Sequence, residues 1–197
     1  MSQMHILRAA DYPRMPWKNG AGSTLEIARD QGNGLEGFGW RLSLADIGES
    51  GGFSAFNGYQ RIITVLEGDG MQLRVDGALS RPLLPFDPFA FSGDSRVECR
   101  LLGAAIRDFN LIYSPQRFAA RLQWLALERS QRVFSSATVM LLFSAAEALE
   151  VRLDDGRCAL LGRYDCLWIE RAVGLAELQL QVDVAGACAL IELQPRR

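Results

Sequence analysis

Short apolar runs closed by glycine or by Asp-Gly and Gly-Asp-Gly turns recur along this chain, and long stretches of helical period are missing. Glycine occurs 19 times in 197 residues, mostly between those runs. Such punctuation predicts many short strands joined by turns, hence a β-sandwich or barrel. Leu25 to Ala28 and Trp40 to Ala45 alternate with period two, separated by a glycine-rich stretch from Asp30 to Gly39 that suits a long hairpin loop. Further strands are expected at Arg61 to Glu67 and Met71 to Val75, with Gly68-Asp69-Gly70 and Asp76-Gly77 as turns. Arg121 to Glu128 reads as strand, and Ser144 to Glu150 as a short helical turn or a continued β-unit.

The second half echoes the first. Val75-Asp76-Gly77 precedes Leu83 to Phe91, and Leu153-Asp154-Asp155-Gly156 precedes Leu160 to Trp168, with an aromatic-Asp pair at the same place in each. Asp87 and Asp165 lie 78 residues apart. Two copies of one β-unit are the expected organisation.

Charge and cysteine usage narrow the function classes. A formal net charge of -2, with scattered arginines balanced by 23 acids, gives no reason to bind nucleic acid or an anionic membrane. No apolar run approaches a membrane span, and Met1 to Met15 contain no secretory core, so a cytoplasmic protein is expected. Cys99, Cys158, Cys166 and Cys188 form neither a CxxC pair nor a zinc spacing, and read as small buried hydrophobes. The single histidine, His5, excludes metal centres built from two or three imidazoles, so no metal or other cofactor is expected. No serine sits in a GxSxG elbow.

What remains for chemistry is carboxylates, arginines, amides, hydroxyls and one lysine. Lys18 is alone of its type among twenty arginines and lies in Trp17-Lys18-Asn19-Gly20-Ala21-Gly22-Ser23-Thr24. An ammonium differs from a guanidinium in that its pKa falls readily on burial, so its placement beside Asn19 and two glycines draws attention. The segment resembles a phosphate cradle, yet its lysine precedes the glycines, unlike a P-loop. Strand alternation puts Thr24 and Glu26 on one face, and Arg41 and Ser43 on one face of the next strand. Paired as a hairpin, the four would form one polar patch, either inside a barrel mouth or in solvent as an ordinary ion pair. Arg61 opens a mostly apolar strand, where a solvated strand-end arginine is the better expectation from spacing alone. Asp108-Phe109-Asn110 places an acid and an amide on one face, with a strand cap as the alternative reading. Phe53 and Phe56 could wall a pocket, but aromatics at this spacing are more often core.

Taken together, Trp17 to Glu26, Trp40-Arg41-Leu42-Ser43, Gly52-Phe53-Ser54-Ala55-Phe56-Asn57-Gly58, Arg61 and Asp108-Phe109-Asn110 closely resemble the HutD/Ves family. Ala21 stands where a third glycine is expected and Asn57 where proline is usual. The resemblance implies an all-β cupin (RmlC-like) double-stranded β-helix with two cupin units, residues 1–115 carrying the ligand pocket and residues 116–197 following. Val65 to Gly70 looks like a cupin strand-turn, while the histidine cluster of metal-binding cupins is absent, which implies a metal-free barrel. It further implies a bacterial protein that limits histidine utilisation by sensing a small acidic intermediate, such as urocanate or a formylated or formiminated glutamate.

On that basis Lys18, Asn19, Thr24, Glu26, Arg41, Ser43, Arg61, Asp108 and Asn110 are expected to converge as a ligand-binding set with no catalytic residue among them. Lys18, Arg41 and Arg61 would neutralise carboxylates, the amides and hydroxyls would direct hydrogen bonds, and Glu26 and Asp108 would orient the cations or meet a ligand amine or imidazole. Two other classes stay open. One is an isomerase or hydrolase using Lys18 and Glu26 in acid-base or imine chemistry. The other is an interaction module whose sheet edges contact other proteins or form a homodimer.

Overall fold

The structure, a computed structural model, describes residues 3–17, 22–32 and 37–196. Apart from one 3-10 turn at Ala9–Asp11, the regular elements among these residues are strands. In chain order they begin with β1 (Gln3–Leu7), β2 (Arg14–Pro16), β3 (Gly22–Arg29), β4 (Trp40–Ile47), β5 (Gly51–Gly52) and β6 (Gln60–Glu67). Next come β7 (Met71–Val75), β8 (Ala78–Leu79), β9 (Phe89–Ser92), β10 (Val97–Leu101), β11 (Ile106–Tyr113), β12 (Phe118–Leu127) and β13 (Ser130–Ser135). The chain finishes with β14 (Val139–Ser144), β15 (Ala148–Leu153), β16 (Cys158–Gly162), β17 (Cys166–Glu170), β18 (Ala176–Gln181) and β19 (Gly186–Pro195). No helix among the described residues is long and apolar enough to cross a membrane.

Two compact units result: Pro13–Arg117, and Phe118–Arg197 together with Met1–Tyr12. The first contains a six-stranded sheet, β2-β3-β4-β11-β6-β9, and a four-stranded sheet, β5-β10-β7-β8. The second contains β1-β17-β14-β19-β12 and β13-β18-β15-β16. Laid side by side, β4-β11-β6-β9 matches β12-β19-β14-β17, and β5-β10-β7-β8 matches β13-β18-β15-β16. The echo in sequence is therefore an echo in topology. It extends to backbone detail: Phe86 and Tyr164 both adopt positive φ, 64° and 68°, which bulky residues rarely do. Their amides bond equivalent carbonyls, Phe86 N to Val65 O at 2.9 Å and Tyr164 N to Ser144 O at 2.6 Å.

In each unit the core lies between its two sheets. Ala45, Ile47, Ile63, Val65 and Ile106 meet Met71, Leu73, Val97 and Cys99 in the first. Met140, Leu142, Cys188 and Leu190 meet Leu149, Val151, Leu178 and Leu180 in the second. Of the four cysteines three are buried as expected, but Cys158 is exposed, because it occupies an outward position on β16 with its Sγ 3.7 Å from Glu150 Oε1.

The division expected between residues 115 and 116 differs at the amino terminus. β1 pairs antiparallel with β17 from Gln3↔Glu170 to Leu7↔Cys166, so these first residues complete a sheet of the later unit. Asp165 fastens them, accepting from Arg8 Nη1 at 2.6 Å, Ala9 N at 2.8 Å and Gly162 N at 2.9 Å. Burial opposes the charge on Asp165, but these donors outweigh it and hold the carboxyl below its ordinary value. Tyr12 adds a hydroxyl bond to the Tyr164 carbonyl at 2.9 Å. Local sequence could not assign β1 to that unit, since its partner strand lies more than 150 residues away. Asp165→Ala is expected to cost about 2–3 kcal/mol in urea unfolding and to expose the Arg8 peptide bond to trypsin; unchanged stability and protection would show the anchor to be idle.

Candidate ligand-binding site

Within the Pro13–Arg117 unit, register puts the chemistry on one face of three adjacent strands. β11 runs between β4 and β6, with Arg41↔Ile112↔Arg61, Ser43↔Asn110↔Ile63 and Ala45↔Asp108↔Val65. On the far side of β4, β3 sets Thr24 opposite Ala45 and Glu26 opposite Ser43. Residues two apart share a face, so Arg41, Ser43, Asp108, Asn110 and Arg61 point the same way. The alternate positions, Trp40, Leu42, Leu44, Phe109 and Leu111, are all fully buried too. Both faces of this sheet are thus withdrawn from water, and the polar face is the one that lines a cavity.

That cavity has a volume of about 680 Å³ and is lined by Thr24, Arg41, Ser43, Arg61, Asp108 and Asn110 together with Trp17, Phe53 and Phe56. Gly93 seats the aromatic wall: the backbones approach so closely that a Cβ there would lie 2.2 Å from the Phe56 carbonyl. Phe56 N in turn bonds Gly93 O at 2.8 Å. Gly22 does the same for the start of β3, where a Cβ would fall 2.3 Å from Asp46 O.

Arg61 corrects the expectation of a solvated strand end: it is only 5% exposed. Its guanidinium carbon lies 5.4, 5.3 and 5.0 Å from the ring centroids of Phe53, Phe56 and Phe91. Ring faces supply a partial substitute for hydration. Its Nη1 donates to the Ser54 carbonyl at 3.2 Å, while its Nε is buried with no hydrogen-bond partner among the described residues. Burial lowers the Arg61 pKa to about 10, with Asp108 opposing the fall and Arg41 adding to it. The group remains charged at neutral pH.

Arg41 is 3% exposed, and its Nε donates to Glu26 Oε2 at 2.7 Å. Arg29 Nε donates to the other Glu26 oxygen at 2.7 Å, and Arg29 Nη2 also reaches Glu26. Burial disfavours the Glu26 carboxylate, yet the bonds from Arg29 and Arg41 prevail and lower its pKa. Arg29 was missed by alternation, since it lies three residues from Glu26. A β-bulge between Glu26 and Ala28 resets the parity and turns Arg29 toward Glu26.

Asp108 and Asn110 are 1% and 7% exposed, and Oδ1 of each lacks a partner among the described residues. Burial raises the Asp108 pKa to about 7; the Arg61 charge restrains the rise and Asp46 adds to it. Thr24 Oγ1 accepts from Trp17 Nε1 at 2.9 Å. Lys18 and Asn19 lie outside the described residues. Six of the nine expected residues therefore line one cavity, and Glu26 stands behind it holding Arg41 in place. Phe53 and Phe56, for which spacing favours the core, both line the cavity, and Phe53 also packs against the apolar core.

The repeat supplies an internal comparison. At the positions matching Arg61, Asp108 and Asn110 the second unit has Met140, Cys188 and Leu190, all in its apolar core. The architecture closes without the polar set, so the first unit carries it at a cost. Each orphaned buried polar atom costs about 1–3 kcal/mol. As a metal site the set is unsuitable: two guanidiniums repel a cation, and the nearby carboxyl is held toward its neutral form. His5 lies on β1, exposed and edge-on to Trp168. Among the described residues, no group of three His, Cys, Asp or Glu side chains could hold a metal ion.

The HutD family model matches residues 9–190. A 21.2 kDa protein in the hutC 3′ region of Pseudomonas putida is 63% identical over 196 residues, covering 100% of both chains. Protein Ves of Citrobacter koseri is 35% identical over 162 residues, covering 75% of this chain and 80% of Ves. The structure of HutD from Pseudomonas fluorescens SBW25 superposes with a TM-score of 0.86 at 56% identity, covering 99% of this chain and 100% of that one. YhhW of Escherichia coli, at 11% identity and a TM-score of 0.71, covers 99% of both chains and shares the all-β fold. By sequence match along nearly its whole length, the chain belongs to the HutD family.

Proposed function

We propose that this HutD-family chain is a metal-free bicupin that binds a small carboxylate metabolite of the urocanate or formyl- and formimino-glutamate type and modulates bacterial histidine utilisation. Membership of the family, and a relative from a hut region, support the role in histidine utilisation. One observation carries the ligand class: two buried guanidiniums, Arg41 and Arg61, line one cavity, and Arg61 Nε has no hydrogen-bond partner among the described residues. A planar guanidinium matches a carboxylate in bidentate fashion, and in a desolvated site such contacts are strong. The cavity volume suits a molecule of metabolite size. Lys18 and Asn19, which lie outside the described residues, are kept as proposed members of the set on the resemblance in sequence.

Calorimetric titration of the whole protein with urocanate and with N-formyl-L-glutamate tests the reading. Saturable heat with one site per chain is expected for at least one of them; no heat with either removes this ligand class. A second reading, acid-base catalysis on the same acids, draws support from the elevated pKa of Asp108, which suits a proton donor near neutral pH. Product formation lost in an Asp108→Asn variant that still binds the acid would favour it.

A further inference from the structure

The polar groups of the cavity are ordered in rows as well as gathered. Arg41 and Arg61 stand on either side of Ile112, so both cations occupy one level of the sheet. One level along β11 stands Asn110 beside Ser43, and one level beyond that stands Asp108. Levels two residues apart are separated by about 6.6–6.8 Å along a strand. The cationic row and the two acceptor rows thus span a distance comparable to the length of a small metabolite. At the first row, Arg61 Nε is a buried donor without a hydrogen-bond partner among the described residues, and Arg41, whose Nε is held by Glu26, also lines the cavity. At the other rows the orphans have the opposite polarity. The Oδ1 atoms of Asn110 and Asp108 are buried acceptors, each without a donor among the described residues.

Resting on the carboxylate-binding reading, we propose that the natural occupant is an acid carrying an N–H donor on the same molecule, and that Asp108 and Asn110 recognise that nitrogen. A plain carboxylate would satisfy the arginine row and leave both acceptors unpaired. An amino, imino, amide or imidazole N–H one to two rows away would satisfy one or both of them. A site built to bond an N–H rejects the analogue lacking it, because its own buried groups are then left stranded. The comparison with the second unit points the same way. There Leu190 and Cys188 fill the Asn110 and Asp108 positions, so neither polar group is needed to build the sheet.

Matched acids read the nitrogen separately from the carboxylate. Urocanate is compared with 3-(3-furyl)acrylate, which replaces the imidazole by a furan, and N-formyl-L-glutamate with glutarate. Calorimetry on the full chain at neutral pH is expected to show the N–H member of at least one pair binding tenfold or more tighter. In Asp108→Leu and Asn110→Leu that preference should fall to about twofold or less, while the weaker acid keeps its wild-type affinity. Equal affinities within both pairs for the wild-type protein would overturn the inference and leave the carboxylate reading standing, and this arm needs no variant to fold. A preference that survives in both folded variants would overturn the assignment to Asp108 and Asn110. Absence of binding by all four acids would sink both readings together.

Discussion

Arg61→Met should weaken binding of the acidic ligand by about 3 kcal/mol, roughly 150-fold, while unfolding free energy holds to within about 1 kcal/mol. Methionine is chosen because Met140 occupies the equivalent position in the second unit, with 0% exposure in a closed apolar core. The ligand loses a charge-assisted contact in a desolvated site, where removal of one partner strands the other. Two stability effects oppose each other. Removing the guanidinium relieves the desolvation that already lowers its pKa to about 10. It also forfeits the bond to Ser54 and the contacts with Phe53, Phe56 and Phe91. Calorimetric titration and urea unfolding on the same preparation separate the outcomes. Retained affinity with reduced stability would make Arg61 a structural residue and remove it from the site.

Asp108→Asn should raise stability at pH 8 by about 3–4 kcal/mol and change it little at pH 4. Burial lifts the folded pKa to about 7 from an ordinary value of 3.8. Between those values the native state holds a proton that the unfolded chain has released. Stability linked to this group is therefore complete below about pH 4 and is lost as pH rises through about 7. The size follows from about 1.4 kcal/mol for each tenfold difference in proton affinity between the folded and unfolded carboxyl. Asparagine keeps the shape without the charge and removes this dependence. Other acids, such as Glu26 and Asp165 with lowered pKa values, contribute slopes of the opposite sign at low pH. Subtracting variant from wild type at each pH cancels them. A variant less stable than wild type at pH 8 would mean that Asp108 and Arg61 form a net stabilising ion pair.

Much of the local structure was legible because it depends on neighbours in sequence. Period-two alternation gave the shared faces of Thr24 with Glu26, Arg41 with Ser43, and Asp108 with Asn110, all of which the register bears out. The aromatic-Asp echo located the repeat, now visible as two matching strand orders and two positive-φ aromatics. Arg29 was hidden by a bulge, which changes parity without any mark in composition. Arg61 read as solvated because spacing carries no information about three aromatic rings arriving from Phe53, Phe56 and Phe91.

By itself the amino-acid order determined that the chain is all-β, that its halves repeat, and which polar side chains share a strand face, since each follows from backbone period and turn chemistry. Tertiary structure alone decided that the polar face lines a cavity and that β1 joins the later unit. It also decided that two guanidiniums share a sheet face with acceptors, one and two rows away, that have no partner among the described residues. These are outcomes of pairing between distant strands, where burial sets the strength of every charge, and no local pattern encodes which strands will meet.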